Sequence, residues 1–164
     1  MSWSSGGQER SDRGLWSQRL TELDIELPGV VTPLAAYVPA NRTGNLVYTA
    51  GQLPIRDGEL VTTGKVGAEV SPEEANALAR LCGLNALAAV HALVGIDSVV
   101  KVVKVVGFVA SAPGFSGQPG VVNGASELFG DVFGQDGAHA RSAVGVSELP
   151  RNAPVEVEII VEVA

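Results

Sequence analysis

The chain closes on VEVEIIVEV, Val155–Val163, with Val155, Val157, Ile159, Val161 and Val163 on one parity and Glu156, Glu158, Ile160 and Glu162 on the other. Successive strand side chains point to opposite sides of a sheet, so this pattern predicts a strand near 154–163 with one apolar and one mixed face. Another strand is predicted near 139–147. DSVVKVVKVVGFVA, Asp97–Ala110, is β-branched on both parities, which predicts a central, largely buried strand. In a regular strand Lys101 and Lys104 would point to opposite faces and could not form one patch.

The helical pattern is clearest in SPEEANALARLCGLNALAAVHALVG. Ser71 suits the N-cap, Pro72 the first turn, and Glu73 and Glu74 the positive end of the helix dipole. Gly95 supplies the stop. Glu73, Arg80 and His91 fall on one stripe, so His91 should face solvent while the Ala/Leu-rich remainder lies on a sheet. VVNGASELFGDVFG predicts a second helix with Val122, Leu128, Phe129, Val132 and Phe133 inward, against the propensity of Gly124 and Gly130.

Ahead of these, AAYVPANRTGNLVYTAGQLP predicts a hairpin, with strands near 36–40 and 45–51 about a turn at Asn41–Gly44. Residues 55–70 read as irregular. Leu15, Trp16, Leu20 and Leu23 have near-helical spacing and predict a short docking helix. The resulting organisation is a flexible polar tail over 1–12, an extension of short helix and proline-bearing connector over 13–34, and a main domain over 35–164. Hairpin, helix, strand, helix, strand, strand is an α+β order. It implies a mixed sheet with two helices packed on one face and the other face free for self-association.

Composition narrows the function. The net charge is −7 and no basic stretch is interleaved with aromatics, which makes nucleic acid an improbable partner. Cys82 is the only cysteine, so no intramolecular disulfide forms, and it reads as a small buried helix residue. No signal-peptide core or run of roughly 18 apolar residues is evident, which points to a cytoplasmic protein without a membrane partner. Two histidines far apart and one cysteine do not suggest a metal site. Phosphate-binding glycine loops and nucleophile elbows are also missing.

Two charges remain conspicuous. Arg141 lies among Ala140, Ser142 and Ala143, and Glu156 stands inside a valine and isoleucine run. A solvated face, a structural ion pair and a site for a small acid all fit the pattern. The last draws on the guanidinium's ability to match a carboxylate through two parallel hydrogen bonds. Along the hairpin the two residues are staggered by roughly 10 Å or more. That stagger suggests a cleft combining groups from two subunits.

LVYTAGQLP, VVKVVGFVASAPGF, VVNGASELF, HARSAVGVSELP and VEVEIIVEV, in this order, resemble the successive signatures of the RidA/YjgF family, also called endoribonuclease L-PSP. The resemblance runs from about Ala35 to Ala164, and residues 1–34 look like the extension of a longer subgroup. It implies a chorismate-mutase-like α+β fold, a homotrimer with a central β-barrel, and ligand clefts between subunits. It further implies hydrolytic deamination of enamine/imine intermediates such as 2-aminoacrylate to a 2-keto acid and ammonia, without metal or organic cofactor. By position Arg141 matches the arginine that grips the substrate carboxylate and Glu156 the glutamate that orients water. Tyr37, Gly51 and Asn123 match residues lining the cleft. Ala50 stands where the family often has serine, and Ala143 where it often has a pocket cysteine. A non-catalytic trimer binding a carboxylate metabolite is the alternative these departures leave open.

Overall fold

The computed structural model describes residues 14–33 and 35–164. The tail expected over 1–12 lies outside the described residues. Five strands form the main sheet in the order β1 (Ala40–Thr43), β2 (Leu46–Thr49), β7 (Val155–Val163), β5 (Val99–Ala110) and β6 (Ala140–Val146). All neighbours are antiparallel except β5 and β6, which run parallel. Helix α3 (Gln118–Phe133) makes that crossover, and α2 (Pro72–Val94) joins the hairpin to β5. The core lies between the two helices and one face of the sheet. It contains Leu87, Val90, Phe129 and Phe133 from the helices and the odd-numbered residues of β7.

Local chemistry accounts for the helices. Ser71 Oγ accepts from Glu74 N at 3.1 Å, and Gly95 ends α2 at φ 81°. His91 faces solvent, as its stripe requires. Helix α2 is long and apolar enough to cross a membrane by composition, yet 61% of that window is buried within the protein. Its apolar surface is spent on the sheet and α3. Gly124, unfavourable by propensity, is where α3 meets α2, because a Cβ there would collide with the backbone oxygen of Asn76. Gly130 has open space around it instead.

Three expectations need correction. The first strand of the hairpin lies about four residues later than expected, at Ala40–Thr43, leaving Tyr37 in a bend before it. Residues 55–70 are not wholly irregular: β3 (Ile55–Arg56) and β4 (Glu59–Leu60) pair across Asp57-Gly58. Both turn residues have positive φ, 53° and 83°. That is the demand of a tight hairpin, which Asp-Gly meets.

The third correction concerns β5. Its register against β7 shifts between Val99 and Lys101 and again between Val102 and Lys104. Each shift leaves one β5 residue unmatched, so side-chain parity inverts. Val99, Val102 and Val105 are all buried on the helix side, although they are three apart. Lys101 and Lys104 consequently share the opposite face, beside Glu162 and Ile160.

The extension is docked on the main body. Helix α1 (Trp16–Glu22) buries Leu20, and Trp16 Nε1 donates to Val99 O at 2.8 Å. The Trp16 ring meets Phe133 edge to face at 5.1 Å. Ser17 donates to Asp97 through both its backbone N–H and its hydroxyl, at 2.9 and 2.7 Å. Further on, Val31 packs against a small second cluster of Leu53, Ile55 and Ala153.

Candidate functional site

Arg141 is paired with Val105 across the parallel β5–β6 ladder and therefore points to the helix side. There Nη1 donates to Asn123 Oδ1 at 2.7 Å and to Ser126 Oγ at 3.2 Å, while Nη2 reaches Pro119 O at 3.4 Å. All three partners belong to α3. None is a carboxylate, so the structural ion pair allowed by the sequence is not formed. A guanidinium has five N–H donors. With three engaged, Nε–H and one Nη2–H are left, a number that suits the two oxygens of a bound carboxylate.

The partners are themselves ordered. His139 Nδ1 lies 2.6 Å from Gly137 O, an acceptor, and so carries a proton; with a neutral ring Nε2 is then an acceptor. Ser126 Oγ, 2.9 Å from Nε2, then donates to His139 and accepts from Arg141. This line of oriented groups holds the guanidinium without neutralising it. Ser126 and His139 were not among the residues expected at the site. The only signal for Ser126 was its i,i+3 spacing from Asn123, which puts both on one side of a helix.

Ala143 follows Arg141 by two on β6 and faces the same way, opposite Gly107. A Cβ on Gly107 would strike Val122 of α3, confirming which face this is. Asn123, Arg141 and Ala143 are thus brought together.

Glu156 belongs to a different corner. It pairs with Phe108 on β5, one position beyond Gly107, and so points to the face without helices. Its carboxylate lies over Gly51, where a Cβ would overlap Oε1. Gly51 is needed for that close approach. Tyr37 and Gly51 line a small hollow with Pro39 and Gln52, so Tyr37, Gly51 and Glu156 form the second group. Burial pushes the Glu156 carboxyl above the usual range, and the Glu158 carboxylate on the same strand face adds to the shift. Among the described residues no cation pairs with it.

Within one chain the two groups cannot meet. Along β5 their registers differ by three residues, Val105 against Phe108, or about 10 Å. Across β6, β5 and β7 they are two strand spacings apart, again about 10 Å, and they occupy opposite faces. Cys82 plays no part in either group: it is buried, and burial, then the nearby Glu156 charge, push its thiol well up. No cluster of three or more metal-ligating side chains occurs among the described residues.

Comparison with known proteins agrees with the motifs. A family model described as Endoribonuclease L-PSP matches residues 30–163. Protein TCP17 of Trypanosoma cruzi is 41% identical over 151 residues, covering 91% of this chain and 94% of that protein. A 2-iminobutanoate/2-iminopropanoate deaminase of Dermatophagoides farinae is 34% identical over 139 residues, 84% of this chain and 93% of its own. A crystal structure of an Agrobacterium tumefaciens protein of unknown function superposes with a TM-score of 0.84 at 44% identity, covering 96% of each chain. With these matches spanning the helix-backed sheet and both charged corners, the chain belongs to the RidA/YjgF family.

Proposed function

We propose that this protein hydrolyses small 2-imino acids to 2-keto acids and ammonia in clefts between subunits of a homotrimer. One observation carries the reading: Arg141 is oriented by neutral oxygens and keeps two N–H donors, while the unpaired Glu156 sits on the opposite sheet face. Each group is half of a site, and a second subunit is the simplest source of the other half. The face without helices supports association. It carries Tyr48 and Val144, each 43% exposed, together with Val106, Phe108 and Ile160.

In such a cleft Arg141 grips the substrate carboxylate, leaving the adjacent C=N carbon exposed. Glu156, whose raised affinity for a proton makes it a better base than an ordinary surface glutamate, takes a proton from water as the oxygen adds to that carbon. The proton passes to nitrogen, the C–N bond of the resulting carbinolamine breaks, and ammonia leaves a 2-keto acid. Imines hydrolyse unaided in water, so positioning supplies most of what is needed. The name of the Dermatophagoides farinae relative supports this chemistry.

The assay is keto-acid and ammonia release from imines generated by an amino-acid oxidase. Wild-type protein should accelerate release and Arg141→Ala should not; equal rates would end the reading. Ala50 and Ala143, where the family often has serine and cysteine, favour a second reading, a trimer that binds a carboxylate metabolite without turnover. Saturable 2-ketobutyrate binding with no acceleration would select it.

A further inference from the structure

The chain has two histidines, and the structure sets their ring protons in opposite ways. His91 Nδ1 accepts from Ile96 N–H at 3.0 Å, so a neutral His91 carries its proton on Nε2. That ring faces solvent in the last turn of α2. His139 is half-buried, with Phe129 edge to face at 6.0 Å, and directs Nδ1–H at Gly137 O. Its Nε2 is turned to Ser126 Oγ, which in turn touches Arg141 Nη1.

That bridging atom matters. A hydroxyl has one proton to give and two lone pairs to receive. Beside a neutral His139, Ser126 gives its proton to Nε2 and accepts from Arg141. Imidazole is the side chain that changes charge between about pH 5 and 8. A protonated His139 carries a hydrogen on Nε2 as well, and the contact persists only with its direction reversed. Ser126 then accepts from both neighbours, and its own proton turns away. The bridge to Arg141 therefore holds in either charge state of the ring.

The charge around Arg141 is not the same in the two states. With His139 protonated, two cations flank one neutral oxygen, and like charges so placed repel. Of the elements around the ring, α3 carries Glu127 and Asp131, the turn before it Asp136, β5 Lys104 and β6 Arg141. Glu127 is exposed, Asp131 is 3.6 Å from Arg80, and Lys104 occupies the opposite sheet face. Arg141 is the one joined to His139 through a single atom. A carboxylate bound to Arg141 supplies the counter-charge that both cations lack.

We propose that His139 is a proton-linked positioning residue, which takes a proton from solvent as Arg141 takes a carboxylate and returns it when the acid leaves. This rests on the reading of Arg141 as a carboxylate grip. Coupling between two binding events is reciprocal, so acid tightens the grip and the grip favours the protonated ring. A unit charge at this range is worth roughly tenfold in affinity.

Nitrogen NMR of the full chain tests this, because tautomer distinguishes its two histidines. Without ligand, neutral His139 should carry its proton on Nδ1 and neutral His91 on Nε2. Saturating 2-ketobutyrate should raise the proton affinity of His139 about tenfold and leave His91 unmoved. Calorimetry should find Kd falling about tenfold from pH 8 to pH 5, with proton uptake read from buffers of different ionisation heat. His139→Phe keeps a ring against Phe129 and should still bind the acid, with that uptake lost. Glu156 is present in both proteins, so any proton it takes up cancels in the difference. A bound ligand that leaves His139 unmoved, or equal uptake in His139→Phe, would overturn the inference and leave the Arg141 reading standing. No binding anywhere between about pH 5 and 8 would end both. The spectra of the unaltered protein decide the outcome even where the variant does not fold.

Discussion

The Arg141 and Glu156 corners treat their charges in opposite ways. Arg141 is surrounded by Asn123, Ser126 and Pro119, which orient it and add no negative charge. Glu156 has no donor to orient it among the described residues, and is lodged over Gly51 where burial favours its protonated form. One corner is a prepared cation without an anion, the other a prepared base without a cation. Had the fold used these charges for stability, it would have paired them. Keeping them on opposite faces leaves each able to meet something that is not part of its own chain.

The sharpest break of this comparison removes one charge at a time. Glu156→Gln should lower imine hydrolysis by roughly 10² to 10⁴-fold, the usual contribution of a placed base, with 2-ketobutyrate binding retained. Arg141→Ala should lower it by at least about 100-fold and abolish keto-acid binding as well. Steady-state rates and calorimetry read both. If the two losses had the same signature, the division of labour would be wrong.

Mixing the two inactive proteins sharpens it further. Unfolded and refolded together, Arg141→Ala and Glu156→Gln subunits should regain activity at about a quarter of the sites, from random assortment around a closed ring. A site confined to one subunit would recover nothing.

A smaller effect is expected from Ser126→Ala, which removes one of two hydrogen bonds on Nη1. The guanidinium remains, so KM should rise about tenfold or less while kcat stays near wild type. A fall in kcat alone would place Ser126 in the chemistry and not in holding Arg141.

The smallest effect is on stability. Because the folded-state pKa of Glu156 is raised, its carboxyl favours folding fully only below the ordinary glutamate range. That contribution is lost as pH rises through the raised value. Glu156→Gln should therefore melt slightly higher than wild type near neutrality, with the gap closing in acid. On the proposed function, the imine-hydrolysis rate of the unaltered protein should fall over the same acid window as Glu156 becomes protonated. A variant less stable at neutral pH would mean that the carboxylate has a structural partner.

Much of this was legible along the chain. The Ser71 cap, the Gly95 stop and the alternation of β7 are local patterns, and the structure reproduces them because each is decided by neighbouring residues. The hairpin was misplaced because Ala40–Thr43 is mostly exposed and lacks clear alternation. The short β3–β4 pair is not legible in the sequence, because two-residue strands have no periodicity to read. At the site, Arg141 and Glu156 stand out by their neighbours and resemblance supplies their roles, but Ser126 and His139 matter through contacts made only after α3 folds back on β6.

By itself the sequence determined the order of the longer elements, the ends of α2, and which β7 residues enter the core. Tertiary structure decided which face each β5 residue takes, since two unmatched residues invert a parity that spacing alone would extrapolate. It also decided that Arg141 and Glu156 stand back to back, and that His139 reaches Arg141 through Ser126. Periodicity is a property of one segment, whereas a face, a register and a bridge belong to segments brought together by packing.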